Sequence, residues 1–318
     1  MNTDGIFSSN EINVQNISEL SRRQSVTEEQ RICELAEIAS EAADYALEMY
    51  NEGYGVYEIL SLVADGFSQD KRSMHEEASC ENMGILDSFL SFLDSGDKIV
   101  FSKLFSDSLL NRGIKLKEED FLLSEIGNES FTYVKNPLAD EAYDVFSQEF
   151  SDPRVKYSQS FQEAVRLVAS GEVEYALLPL EERGGARIAL IAELLFKEDL
   201  KINRITPVFG YEGLADVKYA LVSRHFMIPE ISEDDDRYLE VRLRKDASIS
   251  LADIFLAAES MKVSIYRINT ISFNTDDGAS PYYSLVFSDD GADFSLLLVY
   301  LTLFSGTYSL VGIYKNLE

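Results

Sequence analysis

From Ser25 onward the apolar positions advance by three and four. Ile32, Leu35, Ala39, Ala42, Ala46 and Met49 fall on one face of a helix, and Gly53 and Gly55 close it. Ser25 or Thr27 can cap its start, and the acids that follow suit the positive end of a helix dipole. Residues 56–66, 81–94 and 98–112 carry further helical patterns, and 68–82 reads as a loop. All six prolines lie at or beyond Pro137, so the strongest helix breaker is missing from the first 136 residues. These features predict a helical domain over 25–128, after a polar, frayed or disordered stretch at 1–24.

The pattern changes near Phe131. FTYVKN reads as a strand, ADEAYDVFSQEF as a helix, VKYSQS as a strand and FQEAVRLVASG as a helix closed by Gly171. EYALLP is almost continuously apolar, as in a strand covered on both faces, and it stops at Pro179. ARIALIAELLFKEDL is a helix, and DVKYALVSR a further strand. Strand and helix alternate as in a parallel α/β sheet.

A second change comes at Arg237. RYLEVRLRK alternates as a strand, and Ser248 or Ser250 can cap SLADIFLAAESMK. Two strands, a helix and a last strand follow, giving the order βαββαβ of a ferredoxin-like plait. The predicted fold class is α/β plus α+β. It comprises the helical domain, an α/β domain over 129–232 and a plait over 233–318.

Charge narrows the partners. The 318 residues carry 56 acids against 28 bases, a formal net charge of −28. Phosphate binding needs clustered Lys and Arg, so nucleic acid is not an expected partner, and neither is an anionic membrane surface. Any anionic ligand needs a local cationic pocket against a repulsive mean field. Two cysteines, Cys33 and Cys80, and two histidines are too few to suggest a structural zinc site; a single disulfide stays open, and no metal or other cofactor is expected. The N-terminus lacks a signal-peptide pattern, and no apolar run approaches the ~20 residues of a membrane span. The expected compartment is the cytoplasm.

At residues 157–202 the chain resembles the prephenate dehydratase family. Ser160-Phe161 precedes an amphipathic helix carrying Val165 and Val168. Gly171 then leads to a strand from Tyr175 to Pro179-Leu180-Glu181, and Asp199-Leu200-Lys201-Ile202 follows the next helix. The resemblance extends over about 130–318. It implies a two-lobed, periplasmic-binding-protein-like α/β domain, a C-terminal ACT-like regulatory domain, and a homodimer, since such plaits commonly pair side by side. The departures are as specific. Glu181-Glu182-Arg183 replaces the family's Glu-Asn-Ser, and Lys135-Asn136-Pro137-Leu138-Ala139 replaces its Gly-Pro-x-Gly-Thr loop. Val217-Lys218-Tyr219 replaces Thr-Arg-Phe, whose Thr is implicated in catalysis. Valine cannot donate a proton, and lysine lacks the two-pronged grip of arginine on a carboxylate. Ser250-Leu251-Ala252 and Asn269-Thr270-Ile271-Ser272 stand at the motifs associated with phenylalanine binding. The Arg and Lys pattern of the chorismate mutase domain fused to some members is missing from the helical segment.

The candidate site gathers at strand ends, where open α/β sheets bind ligands. Glu181, Glu182 and Arg183 would line the pocket; the alternative is a solvated loop. Gly184 and Gly185 would open a helix and offer N–H groups to an anion, or make a plain turn. Arg187 would add charge, or lie idle on an exposed face. Lys135 and Asn136 face the same crevice, and Lys218 would anchor a carboxylate unless it is a surface partner of Asp216. His225 follows a strand and could serve as an acid or fill a structural place. His75 reads as solvated, Cys33 as core, and Asp234-Asp235-Asp236 as a spacer rather than an ion site. Two functions stay open. One is a prephenate dehydratase or relative acting on a small carboxylate. The other is an inactive sensor that binds a small carboxylate or an aromatic amino acid in the same cleft.

Overall fold

The computed structural model describes residues 11–66, 93–122, 127–210, 215–227, 236–244, 249–275, 278–289, 293–305 and 308–317. The chain divides into two compact units, one of residues 1–54 and 65–115, the other of 55–64 and 116–318. His75, Cys80, Asp234, Asp235, the 68–82 loop and most of the 81–94 helix lie outside the described residues.

In the first unit, helix α1 spans Glu11–Glu52, so it begins well before the Ser25–Thr27 start that the pattern suggested. Leu35, Ala39, Ala42, Ala43 and Ala46 form its buried face. Cys33 is exposed, which corrects its reading as core, and Ile32 is exposed as well. The second helix of this unit, Ser95–Asn111, is numbered α3 below. Its N-cap is Asp94, whose side chain accepts from the Asp97 N–H at 2.9 Å. Arg112 ties the unit together by donating to Asp44 at 2.7 Å and to the Ser40 hydroxyl at 2.8 Å.

The second unit contains helix α2, Val56–Gly66, apart from its last two residues. It is otherwise built on one mixed sheet. The elements are β1 (Ser130–Val134), α4 (Pro137–Phe146), β2 (Arg154–Ser158), α5 (Phe161–Ala169), β3 (Tyr175–Glu182), α6 (Ala189–Lys197), β4 (Lys201–Val208) and β5 (Val217–Ser223). Then come β6 (Arg237–Arg244), α7 (Leu251–Ser260), β7 (Val263–Thr275), β8 (Gly278–Asp289), α8 (Ser295–Phe304) and β9 (Tyr308–Asn316). The strand order is β2-β1-β3-β5-β4-β9-β6-β8-β7. This large mixed sheet is consistent with a two-lobed α/β fold. It is not wholly parallel: β1 runs parallel to β2 and β3, whereas β5 is antiparallel to both β3 and β4. Residues 237–316 follow the βαββαβ order, with β6 antiparallel to β8 and β9 and β7 antiparallel to β8.

Local chemistry explains the elements. Asn136 caps α4 by accepting from the Ala139 N–H at 3.0 Å, with Pro137 at the first helical position, where its missing N–H costs nothing. Ser160 caps α5 in the same way, and Ser250 with Asp253 makes a capping box for α7. β3 is apolar from Tyr175 to Leu180 because both its faces are covered there. Ala176, Leu178 and Leu180 join one core and Tyr175 and Leu177 the other. The strand does not stop at Pro179. A bulge between Pro179 and Glu181 absorbs the residue without an N–H, and pairing resumes as Glu181 opposite Lys218. β4 is a strand the hydrophobic pattern did not announce, because its buried positions include Asn203, Arg204 and Thr206.

Candidate functional site

At the C-terminal end of β3 the chain folds back on itself. Glu182 N–H donates to the Ala186 carbonyl at 2.9 Å and Ile188 N–H to the Leu180 carbonyl at 3.1 Å. Gly184 and Gly185 make the reversal, with φ of +93° and +83°, a region where a side chain is strained. The glycine pair therefore forms a turn and does not open a helix; α6 begins at Ala189, after the returning segment has paired.

Beside this turn lies a hollow of about 360 Å³, at the small end of the ~300–1,000 Å³ typical of ligand pockets. Its charged lining comprises Glu181, Glu182 and Asp216 against Arg183, Lys218 and Arg267, three of each sign. Pro207, Val208, Phe209, Val217 and Tyr266 supply its apolar wall, and the rings of Phe209 and Tyr266 are exposed. Two β-bulges border it. The bulge in β3 sets Glu181 opposite Lys218. The one in β7, between Ile265 and Arg267, leaves Ile265 and Tyr266 both exposed and Arg267 in the lining. Bulges re-aim side chains in this way beside functional sites.

The charges of the lining are unequally committed. Glu181, whose side chain is only 7% exposed, pairs through Oε1 with Arg267 and lies 3.6 Å from Arg187. Its Oε2 is buried and has no hydrogen-bond partner among the described residues. Arg183, 80% exposed, reaches Asp216 only at 3.7 Å, an arrangement worth ~0–1 kcal/mol. Lys218 is half-buried, and among the described residues its ammonium has no ion pair.

Behind the hollow is a buried ion network. Arg187 donates to Glu240, which also accepts from the Ser284 hydroxyl and the Tyr314 hydroxyl, each at 2.9 Å. Burial opposes the charge on Arg187, but Glu240, Tyr314 and Glu181 outweigh it and hold its pKa above the ordinary guanidinium value. Burial and then Glu240 push the Tyr314 hydroxyl well up, so it stays a neutral donor.

The structure thus brings Glu181, Glu182, Arg183, Gly184 and Lys218 together around one hollow. It leaves three expected residues outside the lining. Arg187 is neither in the hollow nor on an exposed face but locked in the network. Lys135 is exposed, its ammonium 4.8 Å from the centre of the Tyr157 ring. Asn136 is spent on capping α4, donates to the Val134 carbonyl, and accepts weakly from the Tyr219 hydroxyl at 3.4 Å. His225 is also outside; its carbonyl accepts from Asn203 and Ser223. Sequence reading missed Arg267 and Tyr266, whose approach depends on strand order and a bulge. Among the described residues no group of three or more His, Cys, Asp or Glu is placed to hold a metal ion, and no helix is long and apolar enough to cross a membrane.

No protein-family model matches the chain, and no curated protein does. Solved structures do match in backbone. A prephenate dehydratase from Streptococcus mutans aligns with a TM-score of 0.49 at 12% identity, over 60% of this chain and 100% of that one. GqqA, described as a novel type of quorum quenching acylase, aligns with a TM-score of 0.44 at 18% identity, over 59% and 96%. A prephenate dehydratase from Arthrobacter aurescens in complex with L-Phe aligns with a TM-score of 0.43 at 14% identity, over 58% and 89%. Likeness at these identities concerns the course of the backbone and carries no activity across.

Proposed function

We propose that the protein binds a small organic carboxylate in the hollow at the end of β3 and acts as a ligand sensor without turning its ligand over. The observation that carries this reading is Lys218: a half-buried residue whose ammonium has no carboxylate partner among the described residues, in a chain of net charge −28. An unpaired ammonium lining a hollow with an apolar wall is a ready anchor for a ligand carboxylate. Binding without chemistry is supported by what lies beside it. Val217 offers no proton to a leaving hydroxyl, and Tyr219 is buried, with its pKa raised by that burial, so it is a poor acid. Residues 129–232 would be a prephenate-dehydratase-like domain that keeps the pocket and has lost the reaction. Residues 233–318, with their βαββαβ order, would be an ACT-like regulatory domain. Strand β7, at the sheet edge with Ile265 and Ile268 exposed, would pair two copies into a homodimer.

Calorimetric titration with simple carboxylates tests the reading. Lys218→Ala should lower affinity at least tenfold, about 1.4 kcal/mol, while Arg183→Ala should change it little. If neither substitution alters the affinity of a carboxylate that binds, the site lies elsewhere. Purified protein should release no phenylpyruvate from prephenate; steady turnover would establish the dehydratase instead of the sensor.

A further inference from the structure

We infer that the hollow selects a zwitterion, a molecule of amino-acid size carrying one ammonium and one carboxylate, over a simple or double carboxylate. This inference rests on the carboxylate-binding reading above and adds the second half of the ligand. A pocket built for a dianion would surround it with surplus cations. This one is lined by equal numbers of acids and bases, although two of the bases are already held by acids of the same lining.

The uncommitted groups are complementary. Lys218 is a cation without an acid partner among the described residues. Glu181 is a carboxylate with one oxygen, Oε2, buried and unpartnered while the other is held by Arg267. Glu182, at the rim and exposed, has no ion pair of its own among the described residues. Glu181 and Lys218 are directly opposite each other on antiparallel strands, so both side chains rise from the same face of the sheet. They still do not close into an ion pair with each other, so a negative and a positive group of the same lining stay apart on one face of the sheet. A ligand carboxylate on Lys218 would place an α-ammonium within the field of Glu181. A second carboxylate there would meet Glu181 and Glu182 and be repelled, which is how a site rejects a near-analogue. The apolar wall of Val208, Val217 and Tyr266 suits an apolar side chain.

The test is calorimetric titration of the full chain with four matched probes: L-leucine, 4-methylpentanoate without the ammonium, 3-methylbutylamine without the carboxylate, and succinate. L-Leucine should bind at least tenfold more tightly than each of the others. Glu181→Gln should remove that advantage, weakening L-leucine but not 4-methylpentanoate, because it also releases Arg267 from its acid. The probe series on the unaltered protein decides the matter even if this variant fails to fold. If 4-methylpentanoate or succinate binds as well as L-leucine, the zwitterion inference falls and the carboxylate reading stands. Failure of every carboxylate-bearing probe to bind overturns both.

Discussion

Replacing Arg187 with methionine is the sharpest perturbation the structure offers. The side chain is 7% exposed and faces Glu240, 5% exposed, and Glu181, 7% exposed. Removing one partner of a buried ion pair typically costs ~3–5 kcal/mol, because the remaining charge stays buried without compensation. Here Glu240 keeps the hydroxyls of Ser284 and Tyr314, and Glu181 keeps Arg267, so about 3 kcal/mol is expected. At ~2–4 °C per kcal/mol for a unit of 150–250 residues, that lowers Tm by about 6–12 °C. Urea unfolding of Arg187→Met, Glu240→Gln and the double variant measures the effect. The double variant should be less destabilised than the sum of the singles by at least ~1 kcal/mol, since the second change removes the charge that the first exposed. A loss under ~1 kcal/mol for Arg187→Met, at unchanged m-value, would refute the view that this network is closed to solvent.

Other outcomes follow from single contacts. Asn136→Ala should cost about 1 kcal/mol in chemical unfolding through loss of the α4 cap, and leave ligand affinity within twofold. Gly312→Ala should destabilise by at least ~1–3 kcal/mol in the same assay, because its new Cβ would fall 2.1 Å from the Ile202 carbonyl oxygen, where β9 meets β4. Burial raises the Glu118 carboxyl above its ordinary range, against the opposing pull of the Phe294 N–H and Arg237. Its favourable contribution is therefore complete below the unfolded carboxylate pKa near ~4.3 and is lost as pH rises through the folded value. Tm of Glu118→Gln relative to the unaltered chain should accordingly improve as pH is raised from about 4 to 7; a constant difference would count against the burial of this group.

Much of the second unit was legible because its local and tertiary demands agree. Ser160 and Ser250 begin helices where they stand, and the continuous apolar run from Tyr175 reflects two covered faces. Strand β4 was hidden because its inward positions are held by Asn203, hydrogen-bonded to Ser223, and by Arg204, paired with Glu149. A polar residue satisfied by a distant partner looks like surface in a one-dimensional pattern. The candidate site was legible only on the β3 and β5 side. Glu181 and Lys218 meet through a bulge in β3 that no periodicity announces, and Arg267 arrives from 86 residues away. Arg187 was misjudged for the same reason: Glu240, which claims it, lies on β6.

Strand β9 occupies an interior place in the sheet, between β4 and β6, yet follows both of them by many residues. As the ribosome delivers the chain in order, β4 and β6 must each wait with one bare edge until residues 308–316 emerge. Nascent protein is thus most vulnerable to mispairing just before its sheet closes, and chaperone dependence should fall sharply once that strand is out.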